Sequence, residues 1–300
     1  MSLPCVSPPA PSFGRPAVLR GVRIVSLALN LPGPAALWRL RAMGARCLKV
    51  EPPGGDPMAQ YSARAYQALH DGLPTRVIDL KQPRGQAALQ RLLARSDVLL
   101  TSFRPSALRK LGLDDLTLRK RLPALSCITI VGASGVAAEV PGHDLTYLAE
   151  AGLVPGLDLP PSLLADMGGA LATSEAVLQA VLAQRQSGRG LRREVALADA
   201  AHWLAWPRTW GLTGPGDLLG GRHAGYRVYP CRDGRVAVAA LEPHFAARLC
   251  QQVGITLTQP SDILLPAVHD AVGAWLAARS RHQLDRLAVQ HDLPLHTLPA

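Results

Sequence analysis

Residues Val22 to Val50 read VRIVSLALNLPGPAALWRLRAMGARCLKV, and this alternation of apolar and turn residues decides the fold. Val22 to Leu29 is a short apolar run, the pattern of a strand covered on both faces. Leu31-Pro32-Gly33-Pro34 breaks that run, and Pro34 opens a helix that continues through Met43 and stops at Gly44. Ala45 to Val50 is a second apolar strand. Strand, helix and strand in this order make a βαβ unit, which needs a parallel sheet with helices on its faces.

The rhythm continues outward. Glu51-Pro52-Pro53-Gly54-Gly55-Asp56-Pro57 is a loop, since its prolines and glycines fit no regular element. Strands are expected at Arg76–Leu80, Asp97–Thr101, Leu125–Val131 and Arg193–Leu197. Helices are expected at 84–95, in two short pieces over 105–121, in a long one from Asp166 to Gln186, and at Asp199–Trp206. Gln186-Ser187-Gly188-Arg189-Gly190 ends the long helix. From Trp210 to Gly225 glycine, proline and polar residues suggest a linker. Tyr226 to Ala240 then reads as a hairpin turning at Arg232-Asp233-Gly234, followed by helices at 242–253, 260–278 and 280–291. The fold class is therefore α/β, a parallel-sheet large domain over 20–209 with a smaller α+β domain over 226–300. The proline-rich residues 1–19 form a disordered lead-in.

Composition narrows the function. Lys and Arg number 32 against 22 Asp and Glu, a net charge of +10. Aromatic residues are few and no basic block stands out, so nucleic acid is not indicated; the positive residues are scattered and nearly all Arg, which suits phosphate-bearing small molecules at least as well. The five cysteines form no CxxC pair and no metal-ligand spacing, as expected of reduced thiols in a cytoplasmic protein, and Cys47 and Cys127 read as core filler. No apolar run reaches membrane-spanning length.

Several residues carry possible chemistry. Asp166, before Gly168-Gly169 at a helix start, is open to two readings: a helix N-cap, or a reactive carboxylate whose glycine neighbours admit a ligand. His143, followed by Asp144 at a helix start, is either a cap with its imidazole on the backbone or a general base. Arg104, just past a strand, is either solvated or placed to fork onto a diphosphate. Lys49 and Arg76 read as solvated or locally paired charges. Glu242 reads most simply as an exposed acid at a helix start. No GxGxxG or GxxxxGK[ST] motif is present, so neither a nicotinamide fingerprint nor a Walker loop is supported.

The combination resembles the class III CoA-transferases, the group that also holds carnitine-CoA transferases, formyl-CoA transferases and α-methylacyl-CoA racemases. The resemblance runs from about Gly21 to the high 280s. It rests on Leu31-Pro32-Gly33-Pro34, Val50 to Pro57, Ile78-Asp79-Leu80-Lys81, Ser102-Phe103-Arg104-Pro105, Gly142-His143-Asp144, Leu164-Ala165-Asp166, Ser187-Gly188-Arg189-Gly190 and Leu218 to Phe245. The blocks around His143, Asp166 and Leu241-Glu242-Pro243 look more like the racemase branch.

The resemblance implies a Rossmann-like large domain, a homodimer, and a CoA thioester as substrate with no permanently bound cofactor and no metal. It implies that CoA is held through main-chain and Arg contacts, and matches the blocks around Pro34, Val50-Glu51 and Arg104 to the adenine and diphosphate contacts. It matches Asp166, His143 and Glu242 to catalytic positions. The implied chemistry is either CoA transfer through aspartyl intermediates on Asp166, or α-carbon epimerisation of a 2-methylacyl-CoA with His143 and Asp166 as the acid/base pair. A second reading is a catalytically inert relative that binds CoA or a partner chain. Members of that family often carry an Asn-Arg-Gly-Lys-Arg type segment where this sequence has His70 to Arg76. They also continue past the equivalent of Ala300 with a return segment, which is expected to be truncated here.

Overall fold

The computed structural model describes residues 17–300. Of the expected lead-in over 1–19, residues 1–16 lie outside the described residues. Leu19 is a correction to it: the side chain is buried in the first core. The chain divides into two compact units at Ala205/Trp206, a few residues ahead of the expected boundary.

The first unit runs β1 (Arg23–Ser26), α1 (Pro32–Ala42), β2 (Arg46–Glu51), α2 (Met58–Tyr61), α3 (Ala63–His70), β3 (Thr75–Val77), α4 (Pro83–Leu93) and β4 (Val98–Thr101). It continues with α5 (Pro105–Lys110), α6 (Asp115–Arg121), β5 (Ser126–Val131), α7 (Asp144–Glu150), α8 (Leu164–Ser187), β6 (Arg192–Ala196) and α9 (Leu197–Thr209), the last crossing the division. All six strands are parallel, in the order β3-β2-β1-β4-β5-β6.

The two-residue period of the strands explains why they read as unbroken apolar runs. Ile24, Val98, Leu100, Ile128 and Ile130 pack on one face against Leu37 and Leu40 of α1 and Val177 and Val181 of α8. Their neighbours Val25, Leu99 and Cys127 pack on the other face against Leu89 and Leu93 of α4 and Leu118 of α6. Cys47 and Cys127 are buried thiols; burial pushes Cys47 up to about 12 and raises Cys127 as well, which makes both inert.

β1 is shorter than the apolar run that announced it. The Ser26 hydroxyl accepts the Ala28 amide at 3.1 Å, and the Ser102 hydroxyl accepts the Leu29 amide at 3.2 Å. These bonds turn the chain out of the sheet three residues early. The helices α2 and α3 have no sequence expectation behind them; no residue of α3 is buried as a whole, and its Leu69 packs partly buried on the cluster of Ala35, Ala36 and Ala170.

The second unit holds β7 (Tyr226–Cys231), β8 (Gly234–Ala239), α10 (Pro243–Val253), α11 (Pro266–Ala277), α12 (Arg281–His291) and β9 (Leu295–Leu298). β7 and β8 are the expected hairpin, and β9 adds antiparallel to β8. The expected helix over 260–278 is a 3-10 turn (Pro260–Leu264) followed by α11, because Pro266 starts a new helix. Ala224, at the end of the expected linker, is fully buried in this unit's own core.

Candidate active site

In a parallel sheet of this order the connections leave β1 and β4 in opposite directions, which opens a crevice beyond their carboxyl ends. A cavity of about 190 Å³ lies there, lined by Leu29 and Asn30 after β1, Ser102 to Arg104 after β4, and Ile130 to Gly132 around the end of β5. The same cavity is lined by His143, Tyr147 and Asp166. Three residues singled out from widely separated parts of the sequence, Arg104, His143 and Asp166, are thus brought together.

Asp166 does not cap its helix. Leu163 is the N-cap of α8, without a side-chain capping bond, and Asp166 stands in the first turn. Among the described residues its carboxylate has no hydrogen-bond partner. Its main-chain amide instead donates to the buried Asp144 carboxylate at 2.9 Å. That bond ties the start of α7 to the start of α8, and since His143 immediately precedes Asp144 it also sets where His143 stands relative to Asp166.

Burial, with the Asp144 charge adding to it, raises the Asp166 carboxyl from its ordinary 3.8 to about 6. A carboxyl there gives up and regains a proton near neutral pH, as a general acid or base must. His143 is the exposed N-cap of α7; its main-chain amide donates to the Thr146 hydroxyl at 3.1 Å, and that hydroxyl donates to the His143 carbonyl at 2.7 Å.

The two glycines after Asp166 have a different purpose from the one expected. A Cβ at Gly169 would lie 2.2 Å from Leu197, and one at Gly168 3.2 Å from Leu204, both on α9. They let α9 close on α8, and neither lines the cavity that holds Asp166. Glycine serves the site elsewhere: a Cβ at Gly132 or Gly142 would meet the Tyr147 hydroxyl at 2.3 Å or 2.6 Å. Sequence reasoning passed over Tyr147, and noted Asp144 only as the acid beside His143. Tyr147 lies four residues after His143, one helical turn on, and that spacing was the available signal.

The remaining expectations are placed as follows. Arg104 is the exposed N-cap of α5 and lines the cavity. Pro34 is buried in the first turn of α1, and Val50 is buried in the sheet, so neither side chain is open to a ligand. Glu51 is buried as well, with Lys49 at 3.0 Å and the Tyr66 hydroxyl donating to it at 3.0 Å. Of the two readings of Lys49 the locally paired one holds: it is wholly buried, not solvated, and is paired with Glu51 and Asp56. Arg76 is exposed. Glu242 is an exposed N-cap of α10 in the second unit, whereas the cavity is lined by the first unit alone. A wider groove of about 710 Å³ along α8 and α9 has mostly apolar walls and no histidine, so it offers no comparable acid/base pair. Among the described residues, no helix is long and apolar enough to cross a membrane.

The sequence profile of CoA-transferase family III matches residues 19–298. Human α-methylacyl-CoA racemase is 32% identical over 255 residues, covering 79% of this chain and 65% of the racemase. Succinate–glutarate CoA-transferase of Agrobacterium fabrum is 30% identical over 266 residues, covering 79% of this chain and 66% of the transferase. The chain therefore spans a little under two thirds of the length of these relatives. The crystal structure of Rv3272 from Mycobacterium tuberculosis superposes with a TM-score of 0.81 at 26% identity, covering 94% of this chain and 85% of that one.

Proposed function

The chain belongs to CoA-transferase family III, and from that premise we propose that it exchanges the α-proton of a CoA thioester, with Asp166 and His143 as the acid/base pair. The observation that carries this reading is that both residues line one small cavity and that the Asp166 carboxyl is held at about 6. One of the pair removes the proton from the α-carbon. The C–H electron pair moves into the thioester carbonyl, giving an enolate, and the other residue returns a proton to the opposite face. Neither residue is consumed. Two groups are needed because a single base returns the proton to the face it left. In this reading Arg104 holds the CoA diphosphate, and a homodimer is the working assembly.

CoA transfer is the second reading, favoured by the absence of any hydrogen-bond partner on the Asp166 carboxylate among the described residues and by the similarity to succinate–glutarate CoA-transferase. There the carboxylate attacks the thioester carbonyl, the C–S bond breaks, CoA thiolate leaves and an aspartyl anhydride remains.

Incubation with a 2-methylacyl-CoA in deuterated water tests the proposal. Deuterium at the α-carbon, lost by about 10²–10⁴-fold in His143→Ala and Asp166→Asn, is the expected result. Hydroxylamine-trapped Asp166 without deuterium uptake replaces it with CoA transfer. Neither signal, with CoA still bound, leaves an inert CoA-binding relative.

A further inference from the structure

Below the β1 end of the cavity lies a buried ionic cluster that the proposed chemistry does not use. Lys49 of β2 is wholly buried, and an ammonium there needs opposite charge and accepted N–H bonds around it. It is hydrogen-bonded to Asp56 and to His70 Nε2 at 2.7 Å, and it is ion-paired with Glu51 at 3.0 Å. His70 Nδ1 lies 2.7 Å from the Tyr66 carbonyl, so Nδ1 carries the proton and Nε2 offers its lone pair to the ammonium. Glu51, Asp56 and His70 have the spacing of a metal-ligand set, but the Lys49 ammonium stands among them and supplies the cation itself.

What this cluster holds is the turn after β1. Asp56 is 1% exposed, and besides Lys49 it accepts the amides of Asn30, at 3.0 Å and 3.2 Å to its two oxygens, and of Met58 at 3.0 Å. Asn30 has φ +63°, one of only two non-glycine residues with positive φ among those described. Asn adopts this left-handed conformation more readily than other side chains with a Cβ, and the two bonds its amide donates to Asp56 hold it there. Asn30 and its neighbour Leu29 line the cavity together with Asp166 and His143. The Tyr61 hydroxyl donates to Asn30 Oδ1 at 3.0 Å, which fixes the side chain as Asp56 fixes the main chain.

We propose that Lys49 and Asp56 are positioning residues: the buried ammonium orients the Asp56 carboxylate, which clamps Asn30 in the left-handed conformation and so sets the β1 wall of the reaction cavity. Glu51 then belongs to this frame and makes no CoA contact with its side chain. The effect on turnover rests on the α-proton exchange proposed above; the clamp on Asn30 does not.

Two variants test it. Asp56→Asn removes the charge from the clamp. Lys49→Met/Glu51→Gln removes the ammonium and one carboxylate together, so the cluster keeps its net charge and Asp56 remains in place. In both, amide hydrogen exchange at Asn30 is expected to quicken by about tenfold or more, the loss of one charge-assisted hydrogen bond, while the β4 amides keep their protection. Unchanged exchange at Asn30 in the folded double variant overturns the proposal.

Deuterium wash-in at saturating 2-methylacyl-CoA is expected to fall by about tenfold with KM within about threefold, since a misplaced wall affects the reacting atoms more than binding. A rise in KM alone assigns the cluster to CoA binding and overturns it. If the wild-type protein shows no wash-in, the proposed function fails, and the Asn30 exchange still decides the clamp. Should both variants fail to fold, the wild-type Lys49 ammonium protons decide: a slowly exchanging signal by nitrogen NMR supports the buried ammonium frame, and solvent-averaged exchange overturns it.

Discussion

Replacing Asp166 by Asn should make the protein more stable while abolishing its proposed chemistry. The carboxyl is raised from 3.8 to about 6 by burial and by the Asp144 charge. Each tenfold change in proton affinity corresponds to about 1.4 kcal/mol, so ionised Asp166 costs the fold about 3 kcal/mol as an upper figure. Because the residue is only partly buried and lines a cavity, solvent screening reduces this to about 1–3 kcal/mol. The sign follows from the direction of the shift. The unfolded chain ionises near the ordinary value and the folded one only near 6, so the penalty is complete above the folded value. It shrinks as pH falls between the two and is absent below the ordinary one. Asn has nearly the same shape and no charge. Urea unfolding across a pH series should therefore show Asp166→Asn more stable by about 1–3 kcal/mol at about pH 8 and equal to wild type below about pH 3.5. A variant no more stable than wild type at alkaline pH, or a difference constant across the series, would refute the electrostatic account of Asp166.

Other substitutions probe separate parts of the argument. Asp144→Asn keeps an acceptor for the Asp166 amide but removes the second cause of the raised carboxyl; the acid limb of the pH–rate profile should move to lower pH, with the fold intact. Arg104→Ala should weaken CoA binding by about 1.5–3 kcal/mol, measured by calorimetry, and reduce the salt dependence of that binding. Gly190→Ala would place a Cβ 2.1 Å from the Leu125 main-chain oxygen, which has no side-chain freedom to yield, and should cost about 1–3 kcal/mol in chemical denaturation. Leu37→Ala empties a fully buried position of α1 in the core on one sheet face and should cost about 2–5 kcal/mol in the same assay.

What the residues announced in advance and what they did not divide along a physical line. The parallel sheet was readable because β4 and β5 are buried on both faces and carry nothing but apolar or small polar side chains. The loop after Glu51 was readable from its prolines and glycines, and the hairpin from Arg232-Asp233-Gly234. Features that depend on partners distant in sequence were not. Lys49 read as either solvated or locally paired, and the nearby Glu51 and Asp56 could not decide it, because His70, which completes its surroundings, arrives from α3, a helix the sequence did not announce. The glycines after Asp166 could equally have admitted a ligand until α9 was seen packed on them.

The same division explains the catalytic pair. His143 and Asp166 stand at the starts of two helices, where each has an ordinary capping explanation, and no spacing rule joins positions so far apart in sequence. They are joined by Asp144, whose buried carboxylate spends one oxygen on the Asp166 amide and places its charge beside the Asp166 side chain. One residue thus supplies both position and proton affinity: it holds the starts of α7 and α8 together, and it helps lift the Asp166 carboxyl toward neutrality. Position and proton affinity should for that reason be separable by chemistry at Asp144. An amide there keeps the first and loses the second, and an alanine loses both.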